Sequence, residues 1–482
     1  MKKILIFFPD KIIEEEFYND RSIIFFNDQG WSVRVAKKRI VIKLQKTSFD
    51  FKHIDFNNLI STLRFWGPLW ARMNGKGDQS ELLYRKVALL ILNVASDIKK
   101  FKITKAIFMT GVTHHIDSLV FDYACTFTNV NKIFLYREVI AGRLIPILQT
   151  AEFPTKKLFN KQISKHNFRN LIDQFKINKS GNNYPISNYV YSRSKNFLYG
   201  FLRVLYIDLK FIARNSVKFS LIHLPSKFSY RPKIFSFIYQ TYPFQRTLQI
   251  IQLKKALDYY ESKSIDFEGV NEIKKNFNEP TFLIAANFQP EATSFPEGWN
   301  FSNHIDIVIY LRKLGVEGAI FYKEHPETFS YIIAGEYTAA GTFRSKEYYK
   351  QLEDLGCVFL KNDIDLSVDV KSNDWYIPIT ISGSIALERS LFGFPTIVAG
   401  RPWFEDIPGI ISLTKITSLK RFNFSFLKKN KKMEMGAYKF LLDNLNNKTL
   451  FNNAGIGDSI KSQKNKDIQE YIENFKQLIS KI

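Results

Sequence analysis

Tyr376-Ile377-Pro378-Ile379-Thr380-Ile381-Ser382-Gly383-Ser384-Ile385-Ala386-Leu387-Glu388 runs from an apolar, β-branched segment through a turn of small residues into a helical pattern. An apolar run of that length, bounded by a turn signal, reads as a strand buried on both faces. Working outward, residues 395–399 supply the next strand. Upstream lie a strand at 281–286, a helix at 303–314, a strand at 318–322, a helix at 345–355 and a strand at 357–360. This β–α–β alternation predicts a doubly wound parallel sheet covered by helices.

The same rhythm occurs in the first 150 residues. Strand patterns at 4–8, 32–36, 106–110 and 132–136 alternate with helical patterns at 80–99 and 115–127. A chain of 482 residues exceeds what one hydrophobic core usually serves. The expectation is therefore α/β, with two Rossmann-like doubly wound domains facing a cleft, 1–150 and 280–410. Between them, 151–265 reads as a mainly helical, basic insertion, followed by a polar linker at 266–280. A C-terminal extension, 411–482, closes on an amphipathic helix near 467–479.

The net charge is +23, and between 151 and 250 bases exceed acids by about 14, so most of the excess sits in one fifth of the chain. Within it, the apolar residues of 197–206 cover most of a helix, with Arg203, Lys210, Arg214 and Lys218 spaced along it. Two readings stay open: a helical subdomain packed on the rest, or a helix lying on an anionic membrane surface. No window offers the 18 or so apolar residues of a spanning helix. The basic start is followed too soon by Glu14-Glu15-Glu16 for a signal peptide, so the chain is expected in the cytoplasm, with peripheral contact to the inner membrane as an option. Cys125 and Cys357 are the only cysteines, far apart and in apolar settings, which argues against disulfides and a cysteine-ligated metal. No metal site and no cofactor is expected. The aromatic residues show no RNA-binding signature, so no specific nucleic-acid partner is expected.

Chemistry gathers where strands end, because ligands of such sheets bind at the carboxyl ends of the strands. Phe321-Tyr322-Lys323-Glu324-His325-Pro326 ends a strand with Lys323 and His325 expected to face the cleft. They would supply charge or a proton to a phosphate leaving group. Alternatively, His325 only caps its own loop. Ser382-Gly383-Ser384 opens a helix whose free N–H groups, hydroxyls and dipole suit phosphate, although Ser384 is also an ordinary N-cap residue type. Glu388, one turn into that helix, could take ribose hydroxyls or simply face water. Asn287-Phe288-Gln289-Pro290-Glu291-Ala292-Thr293 brings a carboxylate to the same rim. Arg401, just past the strand at 395–399, adds a cation there.

In order, Gln289-Pro290-Glu291-Ala292-Thr293, Lys323-Glu324-His325-Pro326, Arg344-Ser345-Lys346-Glu347-Tyr348-Tyr349, Ser382-Gly383-Ser384-Ile385-Ala386-Leu387-Glu388 and Gly393-Phe394-Pro395-Thr396-Ile397-Val398-Ala399-Gly400 resemble the capsule polysaccharide biosynthesis family. That family includes GT-B transferases that add Kdo from its CMP-activated form. The resemblance covers about 120 residues, 281–403. It implies a nucleotide sugar, CMP-linked, as donor and a glycan or lipid-linked glycan as acceptor. By the same resemblance His325 with Pro326 would meet the CMP phosphate, Ser382 and Ser384 would hold it, Glu388 would hold the ribose, and Glu291 is the candidate base. Asp117 and Glu138 are the acceptor-side candidates. This chain departs from the family in having Ser-Gly-Ser where Thr-Gly-Thr or Thr-Gly-Ser is commoner, and Arg389 and Phe392 where small residues are usual. The expected function is sugar transfer in surface polysaccharide synthesis. The competing expectations are a related non-glycosylating enzyme, such as a polyol-phosphate transferase or nucleotide-sugar epimerase, and a non-catalytic polyanion-binding protein.

Overall fold

The computed structural model describes residues 3–7, 11–17, 19–27, 30–35, 38–42, 59–60, 63, 81–109, 116–137, 144–149, 154–157, 197–216, 245–275, 281–289, 298–325, 328–329, 343–362, 364, 366, 376–402, 404–417, 429–444 and 465–481. They form a mixed α/β structure with two sheets.

The first sheet contains β1 (Lys3–Phe7), β2 (Ile23–Asn27), β3 (Gly30–Val35), β4 (Lys38–Ile42), β5 (Ile103–Phe108), β6 (Asn131–Arg137), β7 (Leu144–Gln149) and β8 (Pro154–Lys157), in the order β4-β3-β2-β1-β5-β6-β7-β8. Its centre, β2-β1-β5-β6, is parallel. Its edges are antiparallel, unlike the wholly parallel sheet expected from the sequence. The reason is connection length: two to six residues join the successive edge strands. A parallel crossover needs a dozen or more. The sheet also continues past residue 150, since β8 pairs with β7.

Alternation along the central strands gives this sheet two buried faces. Leu5, Phe7, Ile24, Phe26 and Phe108 meet α2 (Glu81–Lys100) and α3 (Ile116–Phe127) on one face. There Phe7 stacks on Phe26 at 5.4 Å and tilts against Phe121 at 4.7 Å. Ile6, Ile23, Phe25 and Ile107 form the other face, with Ile13 and Phe17 from and just after α1 (Lys11–Glu16). Phe475 and Leu478 of the last helix, Asn465–Lys481, complete that cluster, and Lys476 pairs with Glu16 at 2.7 Å. The closing amphipathic pattern thus returns to cover the N-terminal sheet.

The second sheet contains β9 (Thr281–Ala285), β10 (Ile320–Lys323), β11 (Cys357–Phe359), β12 (Tyr376–Thr380), β13 (Thr396–Val398) and β14 (Ile410–Ser412), all parallel, in the order β11-β10-β9-β12-β13-β14. Counting from β9, this is the 3-2-1-4-5-6 order of a dinucleotide-binding sheet, with the direction of travel reversing between β9 and β12. On one face Phe282, Ile284, Ile320, Tyr322, Ile377 and Ile379 are buried, together with Val204, Ile250, Leu253 and Tyr260 from the helical segment. Each such Ile, Leu or Phe contributes about 1.5–3 kcal/mol of burial. The segment 266–280, read as a linker, instead forms a helix, Phe267–Lys275. Asp266 Oδ1 accepts from the Gly269 N–H at 3.2 Å. Val270 is buried and Ile273 half-buried against Leu283 and Phe321, a spacing of three that puts both on the sheet side.

Among the described residues no helix is long and apolar enough to cross a membrane.

Candidate functional site

The reversal of strand order places the ends of β9 and β12 side by side, where a crevice opens in sheets of this kind. Asn287, two residues past β9, is buried and bridges them. Its Oδ1 accepts from Thr380 Oγ1 at 2.9 Å and from the Ile381 N–H at 3.0 Å. Thr380 Oγ1 in turn accepts from the Gly383 N–H at 3.2 Å. A Cβ on Gly383 would stand 2.5 Å from that oxygen, so only glycine lets the turn close here. Gly383 is the N-cap of the helix Ser384–Leu391 and offers it no side-chain bond. Ser384 Oγ donates to Glu388 Oε1 at 2.9 Å, one turn on. Ser382 and Glu388 are buried and Ser384 is half-buried. Together these bring a helix N-terminus, a hydroxyl and a carboxylate to the switch point.

The other side of β9 is closed by a buried ionic network. Glu324 and Arg344 are both fully inside, with Arg344 Nε on Glu324 Oε2 at 2.5 Å and Nη2 on Oε1 at 3.3 Å. The carboxylate also accepts from the His325 N–H at 2.8 Å, Thr328 Oγ1 at 3.0 Å, Tyr322 at 3.0 Å and Tyr349 at 2.8 Å. Arg344 Nη1 donates to Gln289 Oε1 at 2.5 Å, tying the β9 loop to the β10 loop. His304 Nε2 accepts from the Asn287 N–H at 3.0 Å, and its Nδ1 is 3.4 Å from both the Tyr348 hydroxyl and Arg344 Nη2. Tyr348 is 3.2 Å from the Tyr322 hydroxyl, which returns to Glu324.

Burial pushes the Glu324 carboxyl up, but the charge and hydrogen bonds of Arg344 outweigh it and hold the group at about 2. Burial and then Arg344 push His304 down to about 3, against Glu324. Burial likewise depresses His325, with Glu324 opposing and Lys323 and Arg344 assisting, to about 4. Near neutral pH His325 is therefore an uncharged donor and acceptor, not the cation its residue type suggested.

The sequence-predicted residues do not all come together. Ser382, Gly383, Ser384 and Glu388 lie together at the switch point. His325 follows β10, two strand positions from β12, roughly 10 Å across the sheet. It is half-buried, its ring 5.8 Å from Phe288. Lys323 differs from expectation: it is buried, and Nζ donates to the Asn362 carbonyl at 3.3 Å, because its strand position shares the face of Phe321, while Glu324 shares that of Tyr322. Arg401 is exposed, three residues past β13. Glu291, Pro326 and Glu138 lie outside the described residues, as does the side chain of Asp117, whose backbone is in the helix Ile116–Phe127.

No family model matches the chain, and no curated protein matches it. Among solved structures, the UDP-GlcNAc 2-epimerase from Methanocaldococcus jannaschii is similar at 10% identity, covering 96% of this chain and 99% of that chain with a TM-score of 0.20. So distant a likeness decides nothing about the site, which stands on its own geometry.

Sequence reasoning missed Asn287, His304 and Arg344 as site builders. A carboxylate inside an apolar strand end, Glu324, signals that a buried cation must exist, and Arg344 was quoted without being paired to it. Arg389, a departure from the resembled pattern, turns away from the Ser-Gly-Ser turn. It lies 5.0 Å from the Tyr376 ring and 5.2 Å from Phe394, donating to Tyr376 Oη at 3.2 Å. Among the described residues no cluster of His, Cys, Asp and Glu could hold a metal ion.

Proposed function

We propose that the chain is a GT-B type glycosyltransferase that takes a nucleotide-activated sugar, CMP-linked, and transfers the sugar to a growing surface glycan. What carries the reading is the switch point of the second sheet, where Asn287, Gly383 and the N-terminus of the helix Ser384–Leu391 converge. Helix N-termini at such crevices bind phosphate through their N–H groups and dipole. In this reading the donor phosphate lies on Ser382, Gly383 and Ser384, and Glu388 takes the ribose. The Ser384 hydroxyl now donates to Glu388, so phosphate binding redirects that proton. His325 stands on the leaving-group side as a neutral hydrogen-bond donor; in this reading Glu291 is the base, and Pro326 and Arg401 take part in donor binding. Asp117 and Glu138 belong to the acceptor side.

The test is a thermal-shift screen of CMP, UMP, UDP, GDP and CDP against the full chain, followed by donor turnover with and without a glycan acceptor. CMP is expected to stabilise most, and His325→Ala to cut sugar release by about tenfold or more. Stabilisation by none of the five would sink the reading. Interconversion of a nucleotide sugar with no acceptor present would replace it with an epimerase.

A further inference from the structure

The helix Phe197–Ser216 presents an unusual outer face. Leu198, Leu202, Tyr206 and Leu209 are 67%, 53%, 61% and 49% exposed. Their spacing of four, four and three lines them along one side, spanning about 16 Å. Leu248, beside the point where the next helix joins, is 64% exposed as well. The opposite side is anchored: Val204 is fully buried in the core of the second sheet.

Charge is sorted across the same helix. Its single acid, Asp208, is buried, where Oδ2 accepts from the Thr247 N–H at 3.2 Å and from Thr247 Oγ1 at 2.7 Å. Arg203 is exposed, and the Lys210 ammonium lies 5.4 Å from the centre of the Tyr206 ring. In helical register both fall beside the leucine stripe. Leucines need an apolar phase and the cations an anionic one. A nucleic acid satisfies only the second, since it offers no apolar phase for leucine. A bilayer with anionic headgroups satisfies both, the stripe entering the acyl boundary while Arg203 and Lys210 reach the headgroups.

We infer that the outer face of the helix Phe197–Ser216 is a docking surface for an anionic lipid bilayer. It holds the chain on the membrane through Leu198, Leu202, Tyr206 and Leu209, with Arg203 and Lys210 at the headgroups. The strong positive charge of the chain, +23, adds long-range attraction to the same surface.

The experiment is vesicle flotation of the full chain with phosphatidylcholine alone and with an equal share of phosphatidylglycerol. The wild type is expected to float with the anionic vesicles and remain below with the neutral ones. Leu202→Asp with Leu209→Asp changes exposed positions only and is expected to cut binding at least about tenfold. Arg203→Glu is expected to weaken it about fivefold or more. The melting temperature and any CMP stabilisation should be unchanged in all variants, which separates failure here from failure of the proposed activity. Flotation of the double variant equal to wild type would overturn the inference, as would a wild type that ignores both vesicles. A lipid-free dimer that light scattering shows the double variant dissolving would assign the stripe to a second copy of the chain instead.

Discussion

The guanidinium of Arg344 forks onto the carboxylate of Glu324, Nε to Oε2 at 2.5 Å and Nη2 to Oε1 at 3.3 Å, with both side chains wholly out of solvent. The pair joins the end of β10 to the residue ahead of the Ser345 N-cap, and through Gln289 it reaches the β9 loop. Removing one partner strands the other's charge, which costs about 3–5 kcal/mol. Glu324→Gln and Arg344→Met should each destabilise by about that amount in urea unfolding. The double variant should cost less than the two together, with a coupling of about 1–3 kcal/mol. Simple additivity would show that the ion pair is not what holds the two loops.

Acid should unfold the second sheet's unit early. His304 and His325 are held at about 3 and about 4, so the unfolded chain binds protons there more readily than the folded one. Their contribution is complete above about pH 6.5 and is lost progressively as pH falls toward those values. Glu324, lowered from 4.5 to about 2, adds its loss below pH 4.5. For fully buried His304 the slope is about 1.4 kcal/mol per pH unit. His304→Gln removes that titration, so the stability gap between wild type and variant should narrow as pH drops from 7 toward 5. A gap that stays constant would mean His304 is not held neutral.

Gly383 tests the switch point itself. Its backbone is ordinary, φ −67°, so the objection to a side chain is purely steric: 2.5 Å to Thr380 Oγ1 and 3.6 Å to Asn287 Nδ2. Gly383→Ala should push the Thr380 hydroxyl off Asn287, at about 1–3 kcal/mol. It should also abolish the CMP-induced rise in melting temperature. Retained CMP stabilisation in a folded Gly383→Ala protein would remove this turn from the ligand site.

How legible this was depends on which forces write the sequence. Strands β9, β10, β12 and β13 were readable because both faces are buried, leaving continuous apolar runs. Helices such as His304–Lys313 and Lys346–Asp354 carry their own caps, Asn303 and Ser345. The antiparallel edges of the first sheet were not readable, since pairing there is set by loop length and not by residue type. The helix Phe267–Lys275 looked like a linker because only Val270 is fully buried in the small cluster it joins, with Ile273 half-buried. In the site, Ser382-Gly383-Ser384 is a local turn and could be read locally. Asn287, His304 and Arg344 build the site through partners 17 to 94 positions away, Asn287 with His304 and Asn287 with Ile381 being the limits, and such pairings leave no local signature.

His325 bears the sharpest kinetic prediction. A histidine with its ordinary pKa that acted as a cationic acid would lose rate about tenfold per pH unit above 6.5. Here burial and the neighbouring Lys323 and Arg344 hold the ring at about 4, in spite of Glu324, so it is already neutral at pH 5.5. Its service to a leaving phosphate would be a neutral N–H hydrogen bond, available unchanged across that range. Donor turnover, measured as kcat/KM, should therefore vary less than about threefold between pH 5.5 and 8 on account of His325. His325→Gln, which keeps a neutral N–H donor, should retain more activity than His325→Ala, by about tenfold if one hydrogen bond in the transition state is at stake. A rate that instead falls tenfold per unit above pH 6.5 and disappears equally in both variants would mean that the imidazolium is the working form.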